Sequence, residues 1–148
     1  MKPSAVRAAL VRLAQSENSM LKICKYGAKV LREKSVEVSA VTGALRDLAN
    51  EMLVLMREAK GVGLAAEQVG RTERLCVIDI PAGCDTEENE RFNAPVAMPL
   101  VMFNPRIVAR EGSQRDKEGC LSFPGVGGEV TRARQVVCQF LDADNNPQ

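Results

Sequence analysis

Histidine does not occur once among the 148 residues. Within them, that excludes every catalytic triad with an imidazole base and every metal site with an imidazole ligand. Aromatic side chains make up only 3% of the chain and tryptophan is absent. The core therefore has to be built from Leu, Val, Ile, Met and Ala. No apolar run is long enough to span a bilayer. Neither sign of charge is in excess: 20 Lys and Arg stand against 19 Asp and Glu, a formal net charge of +1. This speaks against a nucleic-acid or membrane surface driven by bulk charge. Cys-x-x-Cys pairs are also missing, and the five cysteines (Cys24, Cys76, Cys84, Cys120 and Cys138) are odd in number. A disulfide framework or zinc ribbon does not suit that pattern; reduced thiols in a cytosolic protein do.

What is present describes one ordinary domain. Apolar residues are 45% and charged residues 26% of the chain, as in globular proteins generally. Residues 1–19 are basic at the front, with Lys2, Arg7 and Arg12 and no acid before Glu17. They read as a basic extension, either disordered or a targeting peptide, and Met20 is an alternative start. Residues 20–148 form the domain proper.

The clearest helix covers residues 43–60. Leu45, Leu48, Met52, Leu55, Met56 and Ala59 recur at helical spacing. Thr42 is its expected N-cap, Asp47 falls toward the positive end of the dipole, and Arg57 and Lys60 toward the negative end. Gly61 is expected to stop it in a left-handed conformation. Strands are expected at LCVIDI (75–80), at LVMF (100–103) halted by Asn104-Pro105, at RIVAR (106–110) and at QVVCQFLD (135–142). Residues 81–95 read as a long polar loop, and the final DADNNPQ as a turn. Strands following one helix suggest an α+β fold.

Two stretches carry chemistry. GVGLAAEQVG (61–70) contains Gly-x-Gly-x-x-Ala, a spelling of the dinucleotide turn. Such a turn needs a strand before it and a helix after it, and here the order is reversed. Gly61 and Gly63 then serve as helix stop and turn, and Ala65 and Ala66 are small because another element packs closely. Gln68 is left open, as a surface residue or as an amide donor held in a groove. EGCLSFPGV (118–126) places Cys120 in a turn beside a proline. Without histidine, Cys120 has no base as a nucleophile, and Ser122 fails as a triad serine. One thiolate does not by itself make a metal site. Glu118 and Arg132 could pair or stand as separate solvated charges.

GVGLAAEQVG, EGCLS (118–122) and FNPRI (103–107), with ICKYGAKVLREKS (23–35) ahead of them, together resemble the peptide deformylase family. The resemblance runs from about Met20 to the end of the chain. It implies an α+β fold of antiparallel strands packed around helices, with the C-terminal metal-binding helix missing. It also implies a metal-dependent hydrolase that removes the N-formyl group from the N-terminal methionine of nascent bacterial or organellar proteins. The implied metal is ferrous iron, or zinc or nickel, and Cys120 matches its cysteine ligand. Gln68 matches the side-chain amide that, with the backbone N–H of Leu121, stabilises the oxyanion. Val62, Gly63 and Gly119 match positions lining the peptide groove. The partners implied are an N-formylmethionyl nascent peptide and the ribosome, with no membrane and no sequence-specific nucleic acid. The location implied is the bacterial cytoplasm, or an organelle if residues 1–19 are a transit peptide.

The family's third motif, His-Glu-x-x-His, is absent, and by family order it belongs beyond Gln148. The chain is therefore expected to be inactive alone, to expose a large apolar patch, and to be unstable or prone to aggregate. Glu67, Glu118 and Asp116 are conceivable replacement ligands, all expected on turns. The alternatives are a non-catalytic binding module for N-terminal peptides and an inert product.

Overall fold

The structure, a computed structural model, describes residues 21–81 and 96–148. The basic extension and most of the polar loop lie outside the described residues.

Helix α1 covers Gly43–Glu58. The Thr42 hydroxyl accepts the Leu45 N–H at 3.3 Å, as a Thr N-cap should. Asp47 lies past the first turn, which carries no acid. The buried face is Leu48, Ala49, Met52, Leu53 and Met56. It is wider than the expected stripe, because Ala49 and Leu53 join it and Leu45 and Leu55 sit at its margin. Two adjacent helical rows are needed to cover a sheet.

The helix does not stop as expected. Lys60, not Gly61, takes the left-handed conformation, at φ 58°. The Gly61 N–H reaches the Met56 carbonyl at 2.8 Å and the Lys60 N–H reaches Arg57 at 2.9 Å, which is a Schellman ending. Glycine at 61 has a different cause: a Cβ there would lie 2.5 Å from Leu121 Cδ1 and 3.3 Å from its Cγ. Gly61 is small so that a distant turn can close against the helix end. Gly61→Ala is expected to push Leu121 aside and to destabilise the protein by about 1–3 kcal/mol, as overpacking does. Urea unfolding measures this, and an unchanged midpoint would show the contact to be soft.

A four-stranded antiparallel sheet packs on α1. Its strands, in spatial order, are β1 (Gly63–Ala65), β2 (Leu75–Ile78), β3 (Leu100–Glu111) and β6 (Gln135–Leu141). The core joins Leu48, Met52 and Met56 of the helix to Leu64, Ala66, Leu75, Val77 and Phe103. β2 ends at Ile78, short of LCVIDI, and Asp79 just beyond it still faces the residue before β1. The Asp79 N–H bonds the Val62 carbonyl at 2.9 Å and its carboxylate meets Arg57 at 2.7 Å.

LVMF and RIVAR are not separate strands. β3 runs through Asn104-Pro105 by a bulge, with the register shifting between Phe103 and Arg106. Asn104 sits at φ 52°, which asparagine tolerates better than most residues. Its side chain accepts the Val38 N–H at 2.9 Å and donates to the Val38 carbonyl at 2.8 Å. Asn145 does the same for Val41, at 2.6 and 3.0 Å. Two asparagines, one read from sequence as a strand stop and the other as part of a turn, thus pin the segment that leads into α1. The final turn is built on Asp142, whose carboxylate accepts the N–H of Asp144 at 2.8 Å and of Asn146 at 2.9 Å. The Gln148 N–H then returns to the Phe140 carbonyl at 2.9 Å.

Beyond the bulge the β3–β6 pair leaves the core. Ile107, Val108, Val136 and Val137 are all exposed. Neighbouring residues of a strand point to opposite faces, so both faces of this ribbon carry uncovered apolar side chains.

The remaining strands escape sequence reading. β4 (Gln114–Cys120) and β5 (Phe123–Arg132) form a separate hairpin. Cys120 is therefore the last residue of a strand, not part of a turn, and the turn is Leu121-Ser122. Asp116 and Glu118 also lie on β4 and not on turns, while Glu67 is in a short 3-10 helix, Ala66–Val69. The sequence of β4, QRDKEGC, has no β-branched or aromatic residue to mark it as a strand. Cross-strand ion pairs, Arg115 with Glu129 and Arg132 with Glu118, accompany the pairing instead.

Candidate active site

The chain brings two motifs together. β1 and the 3-10 helix after it carry the first. Ala66 and Val69 are buried and hold this helix on the core, which turns Gln68 toward the β4–β5 hairpin. Gly70, at φ 80°, ends it in a conformation that favours glycine. The second motif is the hairpin tip. Cys120 is exposed, Leu121 packs on the core cluster, and Ser122 is the one buried polar side chain among the described residues, 2% exposed.

Gln68 is held at three points. Its Oε1 accepts the Ala65 N–H at 3.0 Å. Its Nε2 donates to Ser122 Oγ at 3.2 Å and lies 3.7 Å from Cys120 Sγ, within hydrogen-bond reach of a sulfur. Its main-chain carbonyl accepts the Cys24 N–H at 2.7 Å. The same segment grips the turn: the Tyr26 N–H bonds the Ser122 carbonyl at 3.0 Å and Lys25 Nζ bonds the Leu121 carbonyl at 2.8 Å. The Tyr26 and Phe123 rings meet at 4.8 Å.

Of the residues singled out from sequence, Gln68, Cys120 and Leu121 therefore meet in one cluster. Val62, 55% exposed, and Gly63 follow Gly61, the residue that packs against Leu121. Gly63 pairs with Ile78 on one side, and β1 is an edge strand, so its other side carries no strand among the described residues. Gly119 lies on the other sheet, opposite Gly127. Lys25, Tyr26 and Ser122 were not legible as site residues. Each is tied to a partner far away in sequence, and no local pattern announces such a bond.

Among the described residues, the other acids and thiols contribute no second ligand set. Glu118 is taken by Arg132, with Nη2 at 2.7 Å from Oε2. That hydrogen bond holds the Glu118 carboxyl below its usual range. The choice between a pair and two solvated charges is thus settled as a pair. Among the described residues, no group of three or more His, Cys, Asp or Glu is placed to hold a metal ion. A hydrolytic metal site needs about three protein ligands, so one exposed thiol does not fit such an ion by itself.

Cys76, on β2, is a contrasting thiol. Burial, then nearby Cys138 and Glu67, pushes it up to about 11. At pH 8 only about one Cys76 in a thousand is then thiolate, the reactive form. Of the four described cysteines, iodoacetamide is expected to label exposed Cys120 first and Cys76 last, read by peptide mass spectrometry. Early labelling of Cys76 would contradict its burial.

Gln68, on a short 3-10 helix, and Cys120, at the end of a strand, thus set an amide donor and a thiol side by side on an α+β scaffold. Comparison with known proteins gives the family. The model for polypeptide deformylase matches residues 20–148. The chain is 41% identical over 128 residues to a peptide deformylase of Endomicrobium trichonymphae, covering 86% of this chain and 69% of that protein. It is 39% identical to one from Desulfitobacterium hafniense, covering 88% of this chain and 77% of that protein. The crystal structure of the Ehrlichia chaffeensis peptide deformylase in complex with actinonin superposes with a TM-score of 0.78 and 32% identity, over 88% of this chain and 73% of that one. The chain belongs to the polypeptide deformylase family. Among the described residues, no helix is long and apolar enough to cross a membrane.

Proposed function

We propose that these residues supply the thiolate and the oxyanion donors of a deformylase that removes the formyl group from the N-terminal methionine of nascent proteins. The observation that carries this is the 3.7 Å approach of Gln68 Nε2 to Cys120 Sγ, across 52 residues of sequence. A thiol and a donating amide aimed at the same small volume suit attack on a formamide carbon. The developing oxyanion takes hydrogen bonds from the Gln68 amide and the Leu121 N–H. An amide suits that place because it donates without titrating. The substrate peptide adds as a strand to the free edge of β1 at Gly63, beside Val62, with Gly119 on the opposite wall. The proposed metal is ferrous iron, or zinc or nickel. Its chemistry is the generation of a hydroxide nucleophile near neutral pH. Cys120 alone does not hold it, and further protein donors are needed beside that thiol. The proposed partners are a formylmethionyl nascent chain and the ribosome that presents it, in the bacterial cytoplasm.

The test joins residues 1–148 to a deformylase helix bearing His-Glu-x-x-His and follows formate release from a formyl-methionyl peptide. Gln68→Ala in that protein is expected to lower kcat by about 10²–10³-fold, the usual cost of losing one oxyanion donor. A kcat within threefold of the parent would remove Gln68 from the chemistry.

The edge position of β1 also favours a second reading, a module that binds N-terminal peptides without turnover. Binding of a methionyl peptide by the unextended chain, equal with and without metal, supports it.

A further inference from the structure

We propose that Ser122 is a positioning residue that sets the amide plane of Gln68. The inference rests on the oxyanion role of Gln68 and adds what orients it. An oxyanion donor is useful only if it points at the reacting oxygen before the reaction begins. A glutamine side chain is long, and its amide can flip, exchanging a donor end for an acceptor end. Here two groups of opposite character prevent the flip. The Ala65 N–H can only donate, and it meets Oε1 at 3.0 Å. A flipped amide would set NH₂ against that N–H, donor against donor. At the other end Ser122 Oγ accepts from Nε2 at 3.2 Å. Nε2 carries two hydrogens. With one fixed on Ser122, the second is directed to the Cys120 side, where the substrate carbonyl has to sit.

Ser122 can do this because it does not move. It is 2% exposed, and its carbonyl is held by the Tyr26 N–H at 3.0 Å. The segment that holds it also holds the Gln68 main chain, through the Cys24 N–H at 2.7 Å. Residues 24–26 thus fix both ends of the Gln68–Ser122 bond. A hydroxyl suits the place better than a carboxylate, which would be buried as an uncompensated charge. The exposed thiol of Cys120 is the weaker acceptor of the two.

The experiment uses two readouts. In the 148-residue chain labelled with ¹⁵N-glutamine, the Gln68 side-chain protons are expected as two separate, slowly exchanging signals. In Ser122→Ala they are expected to exchange with solvent at least tenfold faster, and Ser122→Thr, which keeps the hydroxyl, is expected to restore slow exchange. Unchanged signals in Ser122→Ala overturn the proposal. In the protein extended with the His-Glu-x-x-His helix, Ser122→Ala is expected to lower kcat about tenfold, with KM within twofold and recovery in Ser122→Thr. A purely structural serine would change melting temperature while leaving the amide signals of the folded protein in place. Should Ser122→Ala fail to fold, Ser122→Cys keeps the volume and weakens the acceptor, and its Gln68 signals decide the matter. If Gln68→Ala leaves kcat unchanged, the oxyanion reading fails. If Gln68→Ala lowers kcat but Ser122→Ala alters neither readout, only the positioning role fails.

Discussion

Mixed with ferrous iron, zinc or nickel, the 148-residue chain is expected to bind no ion tightly and to release no formate from formyl-methionyl peptides. The reason is the donor count. Histidine is absent, and among the described residues Cys120 is the exposed thiol beside Gln68. Glu118, the nearest acid in sequence, is committed to Arg132. A single exposed thiolate leaves most of the coordination shell to water and does not orient a nucleophile. Joining a His-Glu-x-x-His helix adds two imidazoles one turn apart, on one face. Both metal retention and formate release are then expected, with Cys120→Ala abolishing retention. Isothermal titration and a formate assay, run on the short and the extended protein, give the answer. Tight binding and turnover by the short chain would overthrow the account.

Phe103→Ala is expected to destabilise the fold by about 3–5 kcal/mol, the range for deleting a fully buried aromatic side chain. Phe103 is fully enclosed and stands where three strands meet, paired with Leu75 of β2 and Leu141 of β6. It is also the last core residue of β3 before the bulge. Few large side chains share the load, since the chain has only four Phe and one Tyr. A domain holds roughly 5–15 kcal/mol in total, so this one change removes a large part of it. The comparison is Val108→Ala on the exposed ribbon, expected to change stability by less than about 0.5 kcal/mol. Equal losses at the two positions, measured by urea unfolding, would mean that the core lies elsewhere.

How much was legible differs from element to element. Helix α1 was visible because its apolar spacing is strong and Thr42 announces its start. β2 and β6 were visible as compact apolar runs. The β4–β5 hairpin was invisible, because β4 has no β-branched or aromatic residue and β5 is interrupted by Pro124, Gly125, Gly127 and Gly128. Asn104-Pro105 looked like a stop and proved to be a bulge, in which the Asn104 side chain bonds Val38, 66 positions away. In the site, Gln68 and Cys120 stood out through the motifs around them. Ser122 was set aside as a failed nucleophile, and Lys25 and Tyr26 drew no notice.

By itself, the sequence determined the chemistry that can be present: a thiol, an amide donor, no imidazole, and a helix with an apolar face. These depend on residue type and short-range periodicity, which one chain displays directly. Tertiary structure alone decided that Gln68 faces Cys120, that Gly61 makes room for Leu121, and that residues 24–26 join the two halves of the site. Those facts are distances between groups remote along the backbone, and they exist only once the core has closed and brought the hairpin to the end of the helix.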